Sequence, residues 1–478
     1  MVVILIILLI ALVALIAVLV SNTLKFTPEP KEESVKENVI FDGDVAVSNL
    51  AELVKCKTVS YYDKEKEDDK EFKKLLNKLP KLYPNVFKAC EYMTFEDRGI
   101  LFKWKGKKKG DATVLMAHYD VVPVEEEQWT KPAFTALIEG DIMWGRGTVD
   151  TKVSMNGILT AANTLIGQKF KPDNDIYFAF SGGEEVNGDG AKHIVNYFKE
   201  NNITLSCVLD EGGAVVKDVF PGVKEACGLV GIAEKGLMNV QFDAKSNGGH
   251  ASAPAPHTPI GVLSKACYKV ENHPFPKHFT EPVLLMFDKL GRRSTFLYRM
   301  IFANLWFFGP ILDMVCKKSG GELNALVRTT CAFTQMEGSD APNVVPPTAS
   351  MVANLRLNPN DTVNEAVDYL KKVINDKDVE ITLLQGTNPS IVSKIDCIGY
   401  KRVEKAVSDT YDCIVSPYLM VQCSDSRHYN EISDKVYKFS SYDLTAEERH
   451  SIHGNDEHIR LEAIKHSVEF FMRLMKQC

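Results

Sequence analysis

The chain opens on nineteen consecutive apolar residues, Val2 to Val20, with no charge among them. At about 1.5 Å per residue, such a helix just spans a hydrocarbon layer of roughly 30 Å. No basic residue precedes the run and no small-x-small pattern ends it, and a cleaved signal peptide carries both. Residues 1–21 therefore read as a signal anchor or signal peptide, with the retained anchor favoured. Either form delivers the chain to the secretory pathway, as a single-pass protein with a lumenal or extracellular body or as a secreted one. Residues 22–40 read as a linker. Its stretch Thr27 to Glu37 is rich in Pro, Glu and Lys and is expected to be a disordered stalk.

Beyond the stalk, short apolar strands alternate with amphipathic helices, the pattern of an α/β layer architecture. Strands are expected at Thr113 to Ala117, Ile176 to Phe180 and Cys207 to Leu209. Helices are expected at Thr151 to Ile166, Ala191 to Glu200 and Leu461 to Lys476. In the last of these Ile464, Val468, Phe471 and Leu474 recur at helical spacing and form a core face. The middle of the chain follows another order: strand Leu237 to Phe242, helix Pro259 to Val270, strands Thr329 to Gln335 and Ala349 to Leu357, helix Val363 to Ile374. This βαββα order makes residues 235–380 a smaller α+β domain inserted between two parts of a larger one, residues 41–234 and 381–478. Within the insertion, Phe296 to Val315 is strongly apolar but interrupted by Arg299, Asn304, Pro310 and Asp313. A buried or surface-docking hairpin of helices is expected there rather than a second membrane span.

Polar residues of a particular kind collect where the strands end. The first strand runs into His118-Tyr119-Asp120, and a period of two puts His118 and Asp120 on one side. Asp120 can then accept the second ring N–H of His118 and fix it as a metal ligand. Gly145-Arg146-Gly147-Thr148-Val149-Asp150 sets one carboxylate just before a helix, where alone it reads as an N-cap. The next strand ends in Ser181-Gly182-Gly183-Glu184-Glu185. Two adjacent acids at a tight turn repel unless one binds a cation and the other serves as a general base. Asp210-Glu211-Gly212-Gly213 brings further acids to the same edge, the expected ligand-binding edge of an open α/β sheet. A second imidazole, His453, precedes the last helix. His118, Asp150, Glu185, Asp210 and His453 thus supply one bridging carboxylate and two terminal ligands for each of two metals. Nitrogen and oxygen donors without thiolate suit zinc or a related divalent ion.

Composition narrows this picture without redrawing it. The formal charge of −7 argues against a nucleic-acid surface. The basic runs Lys64 to Lys74 and Lys105 to Lys109 are solvated faces. Eleven cysteines, an odd number with no CxxC spacing, give neither a disulfide framework nor a structural zinc motif, and buried thiols are expected. Asn202 and Asn360 head glycosylation sequons.

On these residues the chain resembles the aminoacylase and carboxypeptidase family of cocatalytic zinc hydrolases, within it the carboxypeptidase S and secreted N-acyl-amino-acid hydrolase branch. The resemblance runs through His118 to Pro123, Trp129 to Phe134, Gly145 to Lys152, Glu184-Glu185 and Asp210 to Gly213. It continues through Gly249-His250-Ala251-Ser252, Asn343 to Pro346, Asp425-Ser426-Arg427 and His453-Gly454, covering nearly everything after the stalk. It implies a catalytic domain with a central mixed sheet and an inserted lid or dimerisation domain, two Zn(2+) per chain and a possible homodimer. His118 and His453 would be terminal ligands on different zincs, Asp150 the bridge, Glu185 a ligand and Glu184 the general base. Asp120 would orient His118. Asp210 would be the third acidic ligand, with Glu211 the fallback. His250 would stabilise the oxyanion, and Arg427, Asn343 and Arg356 would grip the substrate carboxylate. One departure is Gly182-Gly183, where many members carry Asp before the paired glutamates, and it implies a more flexible loop.

The activity implied first is carboxypeptidase action on short peptides of the Gly-Xaa type. The alternative is hydrolysis or synthesis of N-acyl amino acids, with Phe296 to Phe308 a candidate for lipidic substrates. A membrane-tethered binding protein without catalysis is the reading from another class. The retention of every ligand position and of the base argues against it.

Overall fold

The computed structural model describes residues 1–28, 36–217 and 220–478. The expected stalk falls largely on residues 29–35 and there lies outside the described residues. The apolar helix runs from Val2 to Lys25, beyond the boundary read at residue 21.

The main body is built on a mixed nine-stranded sheet. At its centre Ala112–His118 lies parallel to both Ile176–Ser181 and Leu205–Asp210, and all three strands are buried along their whole length. Alternate side chains of the central strand feed two different cores, as a pleat requires. Leu115 and Ala117 join Met155, Ile158 and Leu159 of helix Lys152–Gly167, together with Val468 and Phe471 of helix Leu461–Met475. Val114 and Met116 face Ile194, Val195 and Phe198 of helix Gly190–Glu200. Strands parallel to one another and covered on both faces deliver their carboxyl ends to one edge. There the strand carrying His118 stops, and the turns bearing Glu184 and Glu211 begin.

A second, four-stranded antiparallel sheet is formed by Gly236–Lys245, Thr330–Glu337, Thr348–Leu357 and Glu380–Thr387. Helices Pro259–Asn272 and Val363–Ile374 pack on it through Leu263, Ala266, Leu370 and Ile374. The strand Glu380–Thr387 is not predicted from the pattern and carries this sheet past residue 380. The helices between Glu281 and Val327 do not share its core. They pack against the strand Ile414–Met420 at the edge of the large sheet, burying Val283, Phe287, Phe302 and Leu326 with Leu419 and Met420. The apolar run is therefore a pair of helices, Phe296–Ala303 and Leu305–Ser319, meeting at 108°.

The chain first enters and finally leaves the second sheet side by side, and in between it visits the large sheet once more through the helices 281–327. It enters through Glu234-Lys235-Gly236 and leaves through Thr387 to Ser393, with Leu237 paired to Thr387. Ser390 N donates to Glu234 O (3.1 Å) and Ser393 N to Ile232 O (2.7 Å). A Cβ at residue 236 would sit 2.5 Å from Thr387 O, so glycine is required for the crossings to lie this close. Seven of the eleven unpaired cysteines are buried. Both sequon asparagines are exposed.

Candidate active site

His118 ends its strand almost wholly buried (2 % exposed). Its Nε2 lies 2.9 Å from Asp150 Oδ1 and 3.3 Å from Glu211 Oε1. The other Asp150 oxygen, Oδ2, lies 3.0 Å from Nε2 of His453, and that nitrogen is 3.1 Å from Glu185 Oε2. One carboxylate is thus shared between two imidazoles, each with its own further acid. Asp120, fully buried, accepts the backbone N–H groups of Glu184 and Glu185 at 3.2 Å through its two oxygens. The His118 Nδ1 partner is the backbone oxygen of Asp120 at 3.0 Å, with the carboxylate at 3.4 Å. Asp120 therefore aligns the paired glutamates as much as the imidazole.

The expected Asp210 and its fallback Glu211 are placed differently. Asp210 does not face His118. Its Oδ2 accepts the backbone N–H of Ser426 (3.0 Å), and the next residue, Glu211, reaches the cluster instead. Asp210 is the last residue of its strand and its side chain stays on the sheet's buried side. Glu211 follows as the chain leaves the ladder and points the other way.

The loop carrying Asp150 is held by a residue the sequence reading did not single out. Glu457 is fully buried, and its Oε1 accepts the N–H groups of Val149 (2.7 Å) and Asp150 (3.1 Å). Its Oε2 accepts from Gly147 N (3.0 Å) and Arg146 Nη1 (2.7 Å), while Arg146 Nη2 donates to Gly454 O beside His453. An arginine between two glycines, destined for burial, is the sequence signal that an acid must meet it. Asp425, also buried, accepts a hydrogen bond from Ser181 at the end of its strand, and its Oδ1 has no hydrogen-bond partner among the described residues but lies 4.0 Å from Arg427 Nη2. Gly182 is a packing requirement rather than a source of flexibility, because a Cβ there would meet the Tyr119 ring at 2.7 Å.

The other expected residues divide. Arg427 is brought to the cluster, donating to Ser424 O and to Asn187 Oδ1 just after the Glu184–Val186 turn. Arg356 reaches across from the four-stranded sheet, its Nη1 3.7 Å from Cys423 Sγ. His250 and Asn343 sit together on an exposed two-stranded ribbon, where Ala251 N donates to Asn343 O. The side-chain hydrogen bonds of His250 go to Ser252, and none among the described residues joins the ribbon to the acidic cluster.

The grouped charges shift one another. Desolvation and the neighbouring Asp150 push Glu185 up to about 7. Desolvation carries Glu184 well above the usual carboxylate range despite the proximity of His118. Desolvation acts the same way on Asp150 but is outweighed by hydrogen bonds from His118 and His453, which hold it well below that range. Hydrogen bonds to Asp150 and Glu185 raise His453 to about 10.

This donor set fits divalent cations. The ligand atoms of His118, Asp150 and Glu185 lie within 4.8 Å of one another, as do those of His118, Glu184 and Glu211. The buried Glu185 Oε1 has no hydrogen-bond partner among the described residues. Acids in such excess over imidazoles need positive charge to be stable together.

Comparison with known proteins agrees. Residues 114–477 match Peptidase family M20/M25/M40. The chain is 34% identical over 474 residues to "Probable carboxypeptidase S-like 2" of Dictyostelium discoideum, covering 96% of this chain and 91% of that protein. It is 33% identical over 437 residues to "N-fatty-acyl-amino acid synthase/hydrolase PM20D1" of Xenopus tropicalis, covering 90% and 85%. Among solved structures, an M20 family metallo-carboxypeptidase, Sso-CP2 from Sulfolobus solfataricus, shares the fold with TM-score 0.66 at 17% identity, over 90% of this chain and 98% of that one. Human carnosine dipeptidase 1 does so with TM-score 0.65 at 14% identity, over 91% and 96%. The chain belongs to peptidase family M20/M25/M40, the metallopeptidase family that its acid-and-imidazole cluster fits.

Proposed function

We propose that this chain is a two-zinc carboxypeptidase that releases the C-terminal amino acid of short peptides. The observation that carries the reading is the splitting of Asp150 between His118 and His453, with Glu184 on the turn beside Glu185. His118, Glu211 and Asp150 would hold one ion, and His453, Glu185 and the same Asp150 the other. The pair would supply Lewis acidity and a water of lowered pKa. Glu184 takes the proton of the attacking water on a carboxylate oxygen and returns it to the leaving nitrogen. Asp120 keeps Glu184 and Glu185 in register through their backbone N–H groups. Arg427, with Arg356 beside it, reads the free carboxylate of the departing residue, which a planar guanidinium does in bidentate fashion. His250 donates to the oxyanion. Because His250 and Asn343 are exposed on the ribbon, a second copy of the chain is the natural source of that donor, which makes the working form a homodimer. The apolar N-terminal helix is read as a retained anchor that leaves the catalytic body on the lumenal or extracellular side.

A second reading, hydrolysis or synthesis of N-acyl amino acids, is favoured by the name of the Xenopus relative and by one structural feature. An apolar pocket lined by Val216, Phe220, Leu229, Met286 and Tyr418 is joined to the Glu211 loop, since Leu229 N donates to Ala214 O. Turnover of Gly-Leu against N-oleoyl-phenylalanine by the purified chain separates the two. Under either reading Glu184→Gln is expected to lower kcat by about 10²–10⁴-fold while zinc content stays near two per chain. Unchanged turnover would refute the role of Glu184.

A further inference from the structure

Among the described residues, the N-terminal helix is buried against the body only at its carboxyl end. Leu19 and Thr23 are its only buried residues, and Val2 to Leu12 are exposed. The contact is made with the elbow between the two apolar helices. Asn304 Nδ2 donates to Leu19 O (3.1 Å), and Asn22 Nδ2 donates to Asn304 Oδ1 (2.8 Å). Arg292 stacks on the Phe26 ring, 4.5 Å from its centroid, and Nη1 donates to Thr27 O. From Val2 to Leu19 the helix rises about 25 Å, close to the roughly 30 Å of a hydrocarbon layer. The elbow is therefore bonded to the helix where it would leave the hydrocarbon for the headgroups.

At that depth the elbow carries an outward face of the wrong polarity for water. In Leu305–Ser319 the inward side is Gly309 and Cys316, and the outward side is Trp306 (62 % exposed), Phe307, Ile311, Met314 (63 %) and Val315. Leu297 (63 %) extends the face onto the preceding helix. A surface helix normally turns charged residues outward at these i, i+4 positions. Taking roughly 150–250 Å² for each large side chain and weighting it by its exposed fraction, the face exposes about 500–800 Å². The largest apolar patch on an ordinary monomer is about 300–600 Å². Trp306 and Tyr298 are the residue types that settle at a bilayer interface. Lys318, exposed at the end of the second helix next to Lys317, which pairs with Asp313 (3.2 Å), stands where a long cationic side chain reaches phosphate headgroups.

We propose that the elbow Phe296–Ser319 lies in the interfacial layer of the same bilayer that holds the N-terminal helix. The catalytic body is then seated on the membrane at two points rather than swinging from a tether. The occupant of the apolar face is lipid, by continuity with the helix bonded to it. The inference rests on that helix being retained in the membrane.

Full-length protein reconstituted into phosphatidylcholine vesicles tests it. Flotation with the vesicles reports the N-terminal helix, and tryptophan emission reports the elbow. The emission of Trp306 is obtained as the difference between the native chain and Trp306→Phe. The chain is expected to float, with the Trp306 component quenched at least about twofold by phosphatidylcholine spin-labelled high on its acyl chain and shielded from aqueous iodide. Ile311→Glu with Met314→Glu should lose that quenching while cleaving a water-soluble dipeptide at the native rate. A floating chain whose Trp306 is open to iodide and unaffected by the lipid label overturns the proposal and leaves the anchor standing. Shielding from iodide that grows with protein density without lipid quenching overturns it in favour of a second copy. Failure to float overturns the anchor and the proposal together.

Discussion

Glu457→Gln removes a charge from the clamp that holds the Asp150 loop while changing almost nothing in shape. In the native chain one carboxylate accepts N–H groups from Gly147, Val149 and Asp150 and pairs with Arg146, and all of these residues but the half-buried Asp150 are buried. Glutamine keeps one acceptor and turns an NH2 toward donors. Breaking a buried ion pair by neutralising one partner costs about 3–5 kcal/mol, and each buried N–H left unmet costs about 1–3 kcal/mol, contributions that overlap. With about 2.1 cal/mol/K of unfolding entropy per residue over a catalytic body of roughly 290 residues, 3–5 kcal/mol lowers the midpoint by about 5–8 °C. The active site suffers as well, because Asp150 N is one of the clamped groups. A displacement near 1 Å costs on the order of 10²-fold in turnover. Thermal unfolding of the zinc-loaded full chain in detergent measures the first effect, and initial rates on a dipeptide measure the second. Glu457→Asp, which keeps the charge, should recover most of both. A Glu457→Gln protein melting within about 1 °C of native and turning over within a factor of two would show that the carboxylate does not hold the loop.

Glu211→Ala should reduce bound zinc from near two to near one per chain by elemental analysis. Asp210→Asn should leave it near two, and the reverse pattern would restore Asp210 as the ligand. Chelation should lower the unfolding midpoint and added zinc should restore it, with about 4 kcal/mol of stabilisation per ion once free metal stands 1,000-fold above its Kd. Asp443 is depressed to about 2: burial raises it, but its hydrogen bonds to His466 and Arg460 prevail. Its contribution, about 1–2 kcal/mol after allowance for solvent screening, is present above the unfolded value near 3.9 and lost as pH falls through about 2. Asp443→Asn should therefore narrow the stability gap to native only below about pH 4, as read from urea midpoints across pH.

The centre of the large sheet was legible because its strands are apolar on both faces and end abruptly in acids and glycines. That is why His118, Asp150, Glu184 and Glu185 could be picked out before any geometry was known. Asp210 and Glu211 could not be ranked, because the period of two holds only within a strand and the chain leaves the ladder between them. Glu457 was hidden by distance, since its partner Arg146 is 311 positions away and a glycine-bracketed arginine signals an acid without saying which one. The strand Glu380–Thr387 is exposed along nearly its whole length and carries no alternation to read. The helical run near Phe296 announced its polarity but not its address, because packing on the large sheet depends on contacts far along the chain.

The crossings at Gly236, Thr330 and Thr387 lie on one row across the end of the second sheet, since Leu237 pairs with both Arg356 and Thr387 and Arg356 with Thr330, and that row makes the sheet a lever. Strands that enter side by side bend more readily about such a row as an axis than they shear or twist, which would break the bonds between them. Arg356, in register with Leu237, sits close to this axis, whereas the ribbon bearing His250 lies beyond Lys245, about 30 Å along the strand at roughly 3.4 Å per residue. A swing of about 10° thus carries the ribbon tip some 5 Å, roughly the amplitude of a lid motion, while Arg356 scarcely moves. The guanidinium can keep its place near Cys423 throughout such a stroke, and the imidazole at the tip travels an arc.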